Sequence, residues 1–266
     1  MLPAPRWVLR TILVLLAVEV VIQILDIVFN FMAVIDDSAI QEMFNVAHEL
    51  SLGNWFSSTQ TAAIAVVLWL IRIHVRDTGA SRWTVRGWTL LSGTFLYLAI
   101  DDGIQAHERI STAASDFFAL TAEGGATHGG FVDAVGRLVD WFPSYTWQVL
   151  FGPVFAALGI FIVVFVWRRL DRASALTVFG GLFLYAVAQA QDFVEGMETP
   201  YDRITERLGT DPYTVPHLAR MGEEYLEMVG STLILFAFLA VYARLKSKQA
   251  ASDAADEVRP GATLES

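Results

Sequence analysis

The stretch TWQVLFGPVFAALGIFIVVFVW, residues 146–167, carries no charged side chain and is followed at once by Arg168 and Arg169. As a helix rising about 1.5 Å per residue it reaches across the roughly 30 Å hydrocarbon core of a bilayer. Working outward from it, five further apolar runs stand at 8–34, 57–75, 87–107, 174–195 and 221–243. Apolar residues make up 55% of the chain, more than a soluble domain of this length needs. The sequence therefore predicts an all-α, polytopic membrane protein, a six-transmembrane-helix bundle. Residues 1–245 form the transmembrane helical domain, and residues 246–266, polar and small, form a disordered cytoplasmic tail. The first run follows Arg6 and Arg10 but far exceeds a signal-peptide core, so it reads as a retained span.

The connections alternate in character. Arg6 and Arg10, then Arg72, Arg76, Arg82 and Arg86, then Arg168, Arg169 and Arg172, then Arg244, Lys246 and Lys248 all fall on one side of a six-span bundle. The positive-inside rule makes that side cytoplasmic, with both termini there and the plasma membrane as the expected location. The longer connections at 35–56, 108–145 and 196–220 lie opposite. The middle one holds a glycine-rich hinge, Gly124 to Gly130. After it, Phe131 to Phe142 places Phe131, Val135, Leu138, Val139 and Phe142 on one helical face and Asp133, Arg137 and Asp140 on the other. That is an amphipathic helix between spans three and four, suited to the outer interface with Trp141, Tyr145 and Trp147 as anchors, or equally to packing as a loop helix.

Several function classes drop out. The chain has no cysteine, which removes Fe–S clusters, Cys-ligated zinc and thiol catalysis. Its lysines, Lys246 and Lys248, follow the last span, so no retinal Schiff base can form within the bundle. A net charge of −10 argues against nucleic acid.

What remains is a one-sided gathering of acids and histidines at helix ends. Asp101, Gln105 and Glu108 share a face of the third span, whereas His107 is turned about 120° away and joins them only if the helix loosens, for which Gly103 is the candidate. Gln189, Asp192 and Glu195 line the fifth. His217, Glu224 and Glu227 face one way at the start of the sixth, and Asp102 and Glu223 are out of phase. His48 and Glu49 could cap the group from the first loop. Carboxylates in or beside hydrocarbon are costly, so their collection at one depth points to a site.

An oxygen-rich set with some imidazole suits a divalent ion, Fe, Mn, Ca or Mg ahead of structural Zn, with Asp101, Glu108, Asp192, Glu224, His217 and His107 as candidate ligands. No Glu-x-x-His, His-x-x-x-His or His-Glu-x-x-His spacing supports it. Salt bridges, with Arg220 near Glu223 and Glu224 and Arg109 beside Glu108, are the structural alternative. Glu195 and Glu227 are the candidate proton carriers of a metal-dependent enzyme on a lipid or apolar small molecule. Cation- or proton-coupled transport through the same acids is the second reading. There Glu19, Asp26 and Asn30, within about 60° of one another on the first span, line an ion path or bond to neighbouring helices. A non-catalytic subunit of a membrane complex, or a homo-oligomer, is the third. Finally, Gly93-Thr94-Phe95-Leu96-Tyr97 and Gly181-Leu182-Phe183-Leu184-Tyr185 echo one another; chance resemblance between apolar helices is a simpler account than a duplicated hairpin.

Overall fold

The computed structural model describes residues 5–123 and 130–257, so most of the glycine-rich hinge and residues 258–266 lie outside the described part. Every regular element within it is helical: α1 (Arg6–Leu25), α2 (Ser38–Phe44), α3 (Leu52–Asp77), α4 (Arg82–Ile104), α5 (Ala106–Glu123), α6 (Phe131–Trp141), α7 (Thr146–Arg169), α8 (Arg172–Glu195), α9 (Asp202–Leu208) and α10 (Thr214–Glu257). Local chemistry sets several starts. Asp37, Ser51, Ser81 and Asp171 each stand just before a helix and accept a hydrogen bond from the backbone N–H three residues on, as short oxygen-bearing side chains do at N-caps.

Among the described residues, five helices are long and apolar enough to cross a membrane: α1 with its continuation to Phe31, α3, α7, α8 and α10. The third expected span forms as α4, 23 residues long, but Thr84, Ser92, Thr94, Asp101 and Asp102 dilute its hydropathy. It lies along α3, and Ser92 Oγ donates to the Ala65 carbonyl at 2.8 Å, a bond that fastens helices where water is scarce.

α10 is the central element, packed against α1, α3 and α8. The core beneath it is apolar: Ile64, Leu68, Trp88, Leu91, Val166, Val178, Ile234 and Phe238 are buried together. The α8–α10 contact is made by backbone, since a Cβ on Gly181 would stand 2.6 Å from the Gly230 carbonyl oxygen and one on Gly230 would stand 3.0 Å from that of Gly181. Gly93 meets nothing within 4 Å, so the two echoed segments do not pack alike. α7 buries only Trp147, Ile162 and Val166 and exposes Ile160, Val164 and Trp167, the pattern of a helix that faces lipid on most sides.

Three local features depart from expectation. The first run does not stay α-helical: from Asp26 to Phe31 it widens into a π-helical turn, a form that accommodates an inward polar side chain and recurs at functional sites. The third run does not reach 107 as one helix, because Gln105 takes a left-handed conformation, φ 51 and ψ 46, and α5 starts afresh behind it. Residues 246–257, read as the start of a disordered tail, continue α10. Four of them are Ala and two are Lys, good helix formers, and no Gly or Pro interrupts them.

Candidate functional site

The ends of α4 and α8 and the starts of α3, α5, α7 and α10 enclose a branched hollow at the acidic end of the bundle. Its widest part, about 540 Å³, is walled by Glu49, Glu108, Asp192, Glu195, Glu223 and Glu224, with Arg220 as the cation among them. A narrower part, about 140 Å³, leads inward past His48, Asp102, Gln105, His107, Gln189 and Glu227. A third, about 250 Å³, adjoins it between the helices and is apolar: Phe95, Leu98, Phe155, Leu158, Ile162, Leu182, Tyr185 and Ile234 line it. Asp102, His107, Trp147, Gln189 and Glu227 belong to both the narrow polar part and the apolar part.

The break at Gln105 builds the junction. It swings His107 back over the end of α4, where His107 Nδ1 meets Asp101 Oδ2 at 2.5 Å and the His107 backbone N–H donates to Asp101 Oδ1 at 3.0 Å. The loosening expected for His107 therefore occurs, two residues after Gly103. Asp101 is buried, and the imidazole stands edge-on to Trp147 with ring centres 4.8 Å apart. A carboxylate bonded to one imidazole nitrogen orients the ring and leaves the other nitrogen to exchange a proton. Asp102, out of phase by helical geometry, reaches the hollow on the other side of the break and accepts from Ser58 Oγ at 2.7 Å.

The expected residues divide into groups. Glu108, Asp192, Glu195, Glu223 and Glu224 face one another across the wide chamber, and Glu227 stands at the junction. Asp101 faces His107 rather than Glu108, because the helix linking Asp101 to Glu108 is interrupted. His217 is elsewhere: its Nε2 meets Asp26 Oδ1 at 2.8 Å with both side chains buried. Asp26 Oδ2 also accepts from the Val46 N–H at 2.7 Å, and Asn30 Nδ2 donates to Asp26 Oδ1 at 3.2 Å. Phe31 stacks on the His217 ring at 5.7 Å. His217, Asp26 and Asn30 thus form one hydrogen-bonded cluster at the end of α1. Among the described residues no three His, Asp or Glu side chains are placed to hold a metal ion together.

Sequence reading passed over Ser58, Gln148, whose Nε2 donates to Asp192 Oδ2 at 2.9 Å, and the inward role of Trp147. The sequence predicts Trp147 as an interfacial anchor, but it is 8% exposed, packed against the His107 ring and lining the apolar limb. Arg220 ion-pairs with Glu195 on α8 instead of the acids of its own helix. Outside the spans, burial pushes the Glu108 carboxyl above its ordinary range, with Glu49, Asp192 and Asp101 adding to the shift against His107. Burial, with Glu195 and Asp192 nearby, also pushes the Tyr145 phenol up to about 12.

A family profile, described as Domain of unknown function (DUF8692), matches residues 9–242. The chain belongs to this family. The match covers every element that walls the hollow and stops within α10. No curated protein and no solved structure matches the chain.

Proposed function

We propose that this DUF8692 protein is a membrane-embedded, cation-dependent enzyme that takes a lipid or other apolar substrate from the bilayer and acts on its polar end in the acidic chamber. In this reading the bundle has six spans, α4 included. The acidic end is extracytoplasmic, both termini are cytoplasmic, the membrane is the plasma membrane, and α6 lies in the outer interface.

The observation that supports the proposal is the adjacency of the two limbs: five residues line both the apolar limb and the narrow polar one. A molecule whose hydrocarbon fills the first delivers its head to the second, past the His107–Asp101 pair. Six carboxylates facing one guanidinium call for a positive charge. Oxygen walls of this kind suit Ca²⁺, Mn²⁺, Fe²⁺ or Mg²⁺ with water completing the shell. Glu108, Asp192 and Glu224 are the first candidates to hold it, once their side chains swing inward together. Glu195 is engaged with Arg220, so His107 and Glu227 take the proton-carrying role.

The test is composition of the purified protein in nanodiscs. Mass spectrometry should find a co-purified apolar ligand, and elemental analysis a stoichiometric divalent metal. Gly159 lines the apolar limb and has open space around its Cβ, so Gly159→Phe should expel the ligand and leave the metal. Glu108→Ala with Glu224→Ala should do the reverse. A wild type that carries neither ligand nor metal, and turns over no lipid when metal is supplied, rejects the proposal.

A further inference from the structure

Glu19 lies deeper in the bundle than the chamber acids and takes no part in the hollow. It is fully buried, and its two oxygens meet different surroundings. Oε1 accepts from Gln60 Nε2 at 2.8 Å and from Thr232 Oγ1 at 2.5 Å, and Gln60 Nε2 also reaches Thr232 Oγ1 at 2.7 Å. Oε2 has no hydrogen-bond partner, and neither do Gln60 Oε1 or both polar atoms of Gln23, one turn along α1. Gln23 and Gln60 are themselves 9% and 3% exposed.

An ionised carboxylate spreads its charge over two equivalent oxygens, and a buried one gathers donors on both. Two donors on one oxygen and none on the other is the pattern of a carboxylic acid, whose carbonyl oxygen accepts and whose hydroxyl donates. The groups that α3 and α10 set against Glu19 are the neutral Gln60 and Thr232. The nearest charged groups along each helix are remote or engaged. Asp26, about two turns along α1, is held by His217. Glu227, more than one turn along α10, is bonded by Gln189. Arg72 lies about three turns beyond Gln60 on α3. With no cation facing it, a charged Glu19 would stand uncompensated in hydrocarbon. A metal ion would find three unengaged oxygens, Glu19 Oε2, Gln23 Oε1 and Gln60 Oε1, short of the roughly six that Ca²⁺ or Mg²⁺ takes when stripped of water.

We propose that Glu19 is a proton-binding site inside the bundle, a neutral acid whose Oε2 hydroxyl donates to the Gln23 side-chain oxygen. The proton satisfies two of the orphaned atoms at once and ties α1 to α3 and α10 through one side chain. It leaves only when those helices part and water reaches the carboxyl group.

Infrared difference spectroscopy of wild type against Glu19→Gln, in nanodiscs at neutral pH, reads the protonation directly. Glu19→Gln should lose one carboxylic-acid carbonyl band, and that band should be unchanged in wild type on addition of sodium or calcium. Loss of carboxylate bands instead, or replacement of the acid band by carboxylate when sodium is added, overturns the proposal. Melting temperatures give the second reading. Glutamine is the neutral isostere of the acid, its NH₂ replacing the OH as donor to Gln23, so Glu19→Gln should melt with the wild type while Glu19→Leu melts lower. A Glu19→Gln protein that fails to fold, or melts as low as Glu19→Leu, also overturns it.

Discussion

At the scale of single residues, environment separates acids that look alike in the sequence. Glu108 follows His107 on the first turn of α5, on the chamber wall and outside the spans. Burial and the neighbouring acids hold its folded pKa above the ordinary 4.5, so the folded protein keeps that proton more tightly than the unfolded chain does. The stability this contributes is complete below the ordinary value and is lost as pH rises through the folded one. In metal-free protein, Glu108→Gln should therefore be more stable than wild type near neutrality and match it in acid. Melting curves of the two proteins from acid to neutral pH check this; parallel curves at every pH would refute it. The presence of acids at this level is legible from the sequence, because carboxylates at the end of an apolar helix stand beside hydrocarbon, where their charge is costly to keep. Their partners are not. Phase on α10 puts His217 on a face with Glu224, yet no phase states that the neighbour met there is Asp26 on α1.

Helices as units show why positions could be read but joints could not. The long helices and α6 announce themselves by apolar run length or by a two-sided pattern of residues. The two helix irregularities, the π turn at Asp26–Phe31 and the left-handed Gln105 at the site, carry no such signal. Gln105 is not a glycine, and the strain of holding it is met by tertiary packing that a single sequence does not display. Where helices touch through backbone, one side chain decides the contact. Gly181→Val puts branched carbons where a single Cβ already stands 2.6 Å from the Gly230 carbonyl, and α8 must move away from α10. Loss of about 1–3 kcal/mol or more is expected, as for other overpacked contacts. Gly93→Val, whose position opens onto free space, should cost far less. Unfolding of both variants in the same detergent measures the difference, and equal losses would mean that α8 and α10 pack more loosely than backbone contact requires.

For the whole molecule, the alternation of basic and acidic connections predicts a direction that labelling can test. The chain has no cysteine, so any introduced thiol is the sole target. Asp37→Cys and Glu206→Cys, at exposed positions of the acidic end, should react with an impermeant maleimide on intact cells. Thr78→Cys and Ser247→Cys, at exposed positions of the basic end, should react only after the membrane is opened. Protection of Glu206→Cys together with labelling of Ser247→Cys on intact cells would remove α4 from the set of spans. The same frame governs the apolar limb of the hollow. Tyr185 and Ile234 form part of its wall, and directly behind them Gly181 and Gly230 meet main chain to main chain. Side chains that border a cavity can rotate to admit a larger guest, but two touching backbones cannot. Under the proposed function the limb is a ruler with a fixed stop: short hydrocarbon tails would seat fully, and longer ones would leave their heads out of register with His107.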